Sequence, residues 1–309
     1  MKKAIVFFTV FTCLMPLFAA PATKGLAKAE IVVVESPDYG AGREDAQLTA
    51  GLAQFLGVTP TVTKMTPAQI AADEDLSKLD YDFLPLYLVK KTAGVREKFA
   101  EPLDAGYLEE TDEYIVLPHQ TRTGVYTNKK GKENVLEVFV MSQCPYGVMA
   151  ENMIIQAYKD GKLPKDKEIR IRYVVNYDER KGFSSLHGSG EWEEDVRQLL
   201  IAKYYPSKLW KYLELRNKDY RSSRWDKAME DAGINVSKIS KKFDSEGLEL
   251  LKKEAAYGDE YEISASPTFL WEGKAVLDFR TAAQIPGFEF LNSSSSAGKG
   301  KVAVPAGSC

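Results

Sequence analysis

Leu136-Glu137-Val138-Phe139-Val140-Met141-Ser142-Gln143-Cys144-Pro145-Tyr146-Gly147 runs from an apolar, β-branched-rich segment straight into a proline-containing turn. Residues 148–158 continue at helical spacing, so the pattern predicts strand, tight turn and helix in direct succession. Pro145 suits the first helical turn, where its missing N–H leaves no bond unmade. Cys144 then stands at a helix N-terminus, beside unpaired N–H groups and the positive end of the dipole. That setting favours thiolate over thiol and lowers a cysteine pKa. A buried structural cysteine at a strand end is the alternative reading of the same residues.

The chain has 309 residues, room for about two domains, and its 41 Lys and Arg nearly balance its 44 Asp and Glu. Neither nucleic acid nor an anionic membrane surface is implied as a partner. Lys2 and Lys3 followed by an apolar run from Ala4 to Phe18 read as a secretory signal within residues 1–29, too short for a typical membrane span. Small-x-small cleavage points follow at Ala20-Pro21-Ala22 and Ala27-Lys28-Ala29, and no stable membrane insertion is expected once the signal is removed. An uncleaved anchor is the alternative. Cys13 has no proper lipobox before it. Removing the signal leaves Cys144 and Cys309, too few for a disulfide scaffold, although an exported compartment permits disulfide chemistry.

In residues 30–130 the pattern gives a buried strand at 30–35, a helix at 45–56, a strand at 59–64 and a short helix opened by Thr66-Pro67. A strand at 82–89 carries Pro85, which a central strand rarely tolerates, and another strand follows at 114–118. Residues 128–133 are a polar linker. Residues 134–292 add a strand at 168–175, a long helical stretch from about 184 to 254, a strand at 266–271, a hairpin turn at Glu272-Gly273 with residues 275–279 pairing back, and a last helix over 281–291. Residues 293–309 are a Ser/Gly-rich tail ending in Cys309.

The first region resembles the second. Val34-Glu35-Ser36-Pro37-Asp38-Tyr39-Gly40 parallels Met141-Ser142-Gln143-Cys144-Pro145-Tyr146-Gly147, with Pro37 in the cysteine's place, so this copy cannot do thiol chemistry. Packing, partner binding or dimerisation is the role expected of it. From Pro37 to Pro85 is 48 positions and from Cys144 to Pro267 is 123; the difference of 75 is close to the length of the helical stretch.

Cys144-Pro145-Tyr146-Gly147 after a strand, with Ser266-Pro267-Thr268-Phe269 downstream, resembles the active-site corner of DsbA-like thioredoxin-fold thiol–disulfide oxidoreductases. The resemblance implies an α/β fold of two tandem thioredoxin-like domains, the second with an inserted helical subdomain. It also implies Cys144 as nucleophile, Gln143, Pro145, Tyr146 and Gly147 around it, and a cis-Pro267 whose neighbours Ser266 and Thr268 dock substrate. The family pattern is Cys-x-x-Cys, and here Gly147 replaces the second cysteine. His187-Gly188-Ser189-Gly190-Glu191-Trp192 is similar to a signature of the gamma-interferon-inducible lysosomal thiol reductase family, without that signature's cysteines. His187 is a candidate stabiliser of the thiolate or an ordinary capping group. The acids at 191–195 read as a helix start suited to its dipole.

Cys309 is the candidate resolving thiol. A flexible tail of about 17 residues has a root-mean-square span of roughly 20–25 Å, enough to bring it to Cys144. An intermolecular disulfide is the competing role. The expected function is an exported, periplasmic or secreted, thiol–disulfide oxidoreductase of the reductase or isomerase kind. It would act on protein or small-molecule thiols and disulfides with a redox partner protein. No cofactor is expected, with glutathione or another thiol as candidate co-substrate. A redox-inactive binding or chaperone-like protein and a glutathione-dependent peroxidase- or transferase-like enzyme are the alternatives. His119 and His187 stand apart from any ligand-spaced acid or cysteine, so no metal is expected.

Overall fold

The computed structural model describes residues 26–117, 123–292 and 309. The signal segment with Cys13, the Ala22 cleavage point, Pro118, His119 and tail residues 293–308 lie outside the described residues. The chain divides into unit 1, Met1–Lys129, and unit 2, Lys130–Cys309, and the boundary falls within the polar 128–133 stretch.

In unit 1, β1 (Glu30–Val34) leads to α1 (Ala46–Leu56), which Asp45 caps by accepting the Gln47 and Leu48 N–H groups and which stops at Gly57, in the left-handed region at φ 73°. β2 (Thr61–Met65) follows, then α2 (Pro67–Ala72), opened by a reciprocal Thr66–Gln69 capping box. The strand expected over 82–89 is divided into β3 (Phe83–Leu84) and β4 (Leu86–Lys90). Pro85 sits at the break, because it has no N–H to give to a ladder. Two short helices that the sequence reading missed, α3 (Ala93–Lys98) and α4 (Ala100–Asp104), precede β5 (Glu109–Glu110), β6 (Tyr114–Leu117) and β7 (Gly124–Tyr126).

The main sheet of unit 1 has the order β2-β1-β4-β6-β5, with β1 and β2 parallel and the other neighbours antiparallel. Alternation along β1 and β4 splits the core in two. Ile31, Val33, Tyr87 and Val89 pack with Leu52, Leu56, Val95 and Phe99, while Val32, Val34, Leu86 and Leu88 pack with Ile70 and Leu76. The proposed equivalence of Pro37 with Cys144 does not extend to the corner itself. Gly40 opens a separate 3₁₀ turn (Gly40–Gly42), and the helix starts only at Ala46 under Asp45.

In unit 2, β8 (Val135–Val140) is buried throughout and enters α5 (Pro145–Lys159) within a few residues. β9 (Glu168–Tyr173) returns parallel to β8. A hairpin of β10 (Asn176–Asp178) and β11 (Gly182–Ser184), not anticipated, turns on the Asp178 carboxylate, which accepts the Arg180 and Lys181 N–H groups. The helical stretch follows as α6 (Ser189–Tyr204), α7 (Leu209–Arg216), α8 (Trp225–Asp231), α9 (Val236–Lys242) and α10 (Leu248–Glu260). A π turn, Phe243–Gly247, joins α9 to α10. α6 passes so close that a Cβ on Gly247 would lie 2.4 Å from Val196 Cγ1.

β12 (Thr268–Trp271) runs antiparallel to β8, and β13 (Ala275–Leu277) antiparallel to β12, around Glu272 and Gly273 at positive φ. The last helix is shorter than expected. α11 (Phe279–Ala282) is capped by Asp278 and Thr281, and the Pro286-Gly287 step leaves only a 3₁₀ turn, Glu289–Leu291, beyond it. In the order β9-β8-β12-β13 the first pair is parallel and the other two are antiparallel, and β2-β1-β4-β6 of unit 1 has the same sequence of pairings.

The described start of the chain bears on signal removal. Ala29 is buried in the unit 1 core, its carbonyl accepts the Thr61 N–H at 2.9 Å, and Leu26 packs against the same cluster. Processing after Ala29 would strip these contacts from the core, whereas processing after Ala22 keeps them. If the chain is exported and processed, its mature N-terminus is therefore expected upstream of Leu26, and intact-mass measurement checks it.

Candidate active site

Cys144 is the N-cap of α5, Pro145 is its first helical residue, and the Cys144 carbonyl accepts the Val148 N–H at 2.9 Å. Its sulfur therefore lies at the positive end of a helix whose first N–H groups have no intrahelical partner. Cys144 is bonded to Cys309, with the sulfurs 2.07 Å and the Cα atoms 6.2 Å apart. Cys144 is fully buried and Cys309 keeps partial exposure.

Ser266 ties this corner together. The Ser266–Pro267 peptide bond is cis, as is Leu84–Pro85 in unit 1. Ser266 N–H donates to Cys309 O at 3.2 Å, and Cys309 N–H donates to Ser266 O at 3.0 Å, so the two residues form one antiparallel rung. Cys144 Sγ lies 3.6 Å from the same Ser266 oxygen. The Ser266 hydroxyl, fully buried, accepts the Met141 N–H at 2.8 Å.

Of the residues expected around the cysteine, Pro145 is exposed and Tyr146 half-buried on the first turn of α5, and Gly147 is buried beneath them. Thr268 begins β12 opposite Phe139, and its hydroxyl donates to Ala265 O at 2.8 Å. Gly147 is held by space. A Cβ there would sit 2.5 Å from Ser266 Oγ, 3.1 Å from Met141 O and 3.2 Å from Val140 Cβ. The Ser266 hydroxyl thus occupies the volume that a second cysteine of a Cys-x-x-Cys turn would need.

Glu191 does more than its place at a helix start implies. It stands in the first turn of α6, as expected, and is fully buried. Its Oε2 accepts the Gln143 N–H at 3.1 Å and lies 2.7 Å from His187 Nδ1, and its carbonyl accepts the Ser142 hydroxyl at 3.1 Å. His187 therefore contacts the turn through Glu191. The signal was spacing: Glu191, Glu194, Asp195 and Gln198 recur at three and four residues, on the stripe that α6 buries.

Glu194 is satisfied by Gln198, Tyr212, Arg197 and Arg216. Asp195 differs. Among the described residues neither carboxyl oxygen has a partner, since the neighbouring Ser142 hydroxyl is turned to Glu191 O. Burial, then the charges of Glu191 and Glu194, push its pKa well above the carboxylate range, against contacts with Ser142 that act the other way. Glu151, on α5, is raised to about 7 by burial and by Glu194, with the Asn217 amide (2.9 Å) opposing.

Glu137 on β8 takes the opposite direction. Burial works to raise it, but the Tyr257 hydroxyl (2.6 Å), Arg172 (2.7 Å) and Lys132 (3.2 Å) hold it ionised and below its usual value.

Among the described residues no group of three or more His, Cys, Asp and Glu side chains has metal-ligand geometry, and no helix is long and apolar enough to cross a membrane.

No family model and no curated protein matches the chain. Solved structures do. One is DsbA from Klebsiella pneumoniae, with 15% identity over 57% of this chain and 93% of that one at a TM-score of 0.36. Another is DsbA from Proteus mirabilis in complex with a non-covalently bound peptide, with 12% identity, 58% and 94% coverage and a TM-score of 0.37. A third is oxidised BdbD from Bacillus subtilis, with 14% identity, 53% and 88% coverage and a TM-score of 0.38.

Two measurements test the packing and the buried acids. Gly147→Cys is expected to lower stability by about 1–3 kcal/mol, because the side chain must displace the buried Ser266 hydroxyl; urea unfolding under reducing conditions reads it. Glu151 titrates at about 7 in the fold and near 4.5 unfolded, so the fold binds its proton more tightly. Its stabilising contribution is complete below the unfolded value and is lost as pH rises through the folded one. Glu151→Gln should therefore gain stability of the order of 2 kcal/mol relative to the parent at about pH 8 and little at about pH 4, measured by unfolding midpoints.

Proposed function

We propose that the chain is an exported thiol–disulfide oxidoreductase of the reductase or isomerase kind, with Cys144 as nucleophile and Cys309 as the thiol that resolves its mixed disulfides. The single observation that carries this reading is the Cys144–Cys309 disulfide at a helix N-terminus, formed against the Ser266–Pro267 segment. An oxidising compartment, the periplasm or the outside, is where such a bond persists.

The helix end favours the Cys144 thiolate, which attacks a substrate disulfide. One substrate sulfur leaves as thiolate and the other stays bonded to Cys144. Cys309 then attacks Cys144 Sγ, releasing the second substrate thiol and closing the Cys144–Cys309 bond. A thiol pool or redox partner protein reopens that bond for the next cycle. No bound cofactor enters these steps, and glutathione or another thiol serves as co-substrate. Gly147 supplies no competing thiol, so resolution falls to Cys309. Gln143, Pro145 and Tyr146 set the surroundings of the thiolate, and Ser266, Pro267 and Thr268 align the substrate segment.

Turnover of a model protein disulfide with glutathione tests the reading. Cys144→Ser should lose activity by about a hundredfold or more. Cys309→Ser should lose about tenfold and accumulate a mixed disulfide on Cys144 visible by mass spectrometry. Unchanged turnover in Cys309→Ser contradicts the resolving role.

A further inference from the structure

We infer that an external thiol opens the bridged chain at Cys309 and not at Cys144, and that Cys309 fills the one-residue dock that an incoming substrate strand needs. The inference rests on the exchange reading above and fixes the order of its steps.

Access is the first ground. A thiolate must reach the sulfur it attacks, and Cys144 has no exposed surface in the bridged chain, while Cys309 has some. Leaving-group chemistry points the same way. Attack on Cys309 expels the Cys144 thiolate, stabilised at the N-terminus of α5, whereas attack on Cys144 expels the thiolate of Cys309, which caps no described helix. The bond changes balance: RS⁻ bonds to Cys309 Sγ, the Cys144–Cys309 bond breaks, and its electron pair leaves on Cys144 Sγ. A second RS⁻ then takes the first as RSSR and frees the Cys309 thiolate.

Occupancy is the second ground. Cys309 uses both the N–H and the C=O of Ser266, at 3.2 and 3.0 Å, as an added antiparallel strand would. No other extended segment can make that rung while Cys309 holds it. The dock and the nucleophile are therefore covered by the same residue and uncovered by the same step. The bridged chain is closed to a strand-docking substrate until a small thiol has opened it.

The experiment uses the full, air-oxidised chain and one equivalent of reduced glutathione, with acid quench at successive times, alkylation of free thiols and peptide mapping. Glutathione on Cys309 with alkylated Cys144, in about tenfold excess over the converse at the earliest times, is the expected result. Glutathione on Cys144 with alkylated Cys309, in a sample that still turns over a protein disulfide, overturns the inference and leaves the exchange reading standing. A bridge inert to glutathione, in a sample without turnover, overturns both. Amide exchange at Ser266 reads the dock separately. It should quicken about tenfold or more in Cys309→Ala, and equal protection in the two chains contradicts occupancy.

Discussion

Ser266 has every polar group committed, and the chemistry of the corner follows from that. Its hydroxyl takes the Met141 N–H, its N–H and carbonyl take Cys309, and the cis bond to Pro267 follows. Because the hydroxyl lies 2.5 Å from where a Cβ of residue 147 would stand, a second cysteine in the turn that begins at Cys144 would have to displace it. A thiol partner for Cys144 must come from outside the turn, and the backbone of Ser266 is shaped to receive one.

The buried acids set a second condition on this corner. Carboxylates are costly to bury unless paired or protonated. Glu137 is paired, Glu194 is hydrogen-bonded on both sides, and burial pushes Asp195 well above the carboxylate range. Glu191 binds the backbone N–H next to Cys144, so α6 fixes the shape of the turn that carries Cys144. This joins α6 to the chemistry: the strand and helix present Cys144, and α6 supplies the acceptor that fastens the residue before it.

Much of this was legible in the sequence. Val135–Val140 is apolar apart from one acid, and Pro145 announces a helix start, so the corner at Cys144 could be placed to the residue. The polar 128–133 stretch contains the division between the two units. What stayed hidden depended on tertiary neighbours. Glu191 reads as no more than a helix-start acid until Gln143 is brought to it. The division of the 82–89 strand followed from Pro85, which was noticed, but the two short helices after β4 carry too little periodicity to detect. The β10–β11 hairpin hangs on one Asp178 turn. The register linking Pro37 to Cys144 failed because unit 1 spends an extra 3₁₀ turn before its helix. Gly147 was seen as a lost cysteine, but that its space is already taken emerges only when Ser266 is folded against it.

The central claim is that Cys144 and Cys309 of one chain form a reversible bond. Non-reducing peptide mapping of protein isolated from an oxidising compartment, with free thiols alkylated before digestion, tests it directly. The account predicts a cross-linked peptide pair containing Cys144 and Cys309, on a monomeric chain and lost under mild reduction. Both cysteines recovered as alkylated thiols, or Cys309 bonded to a second chain, would contradict it.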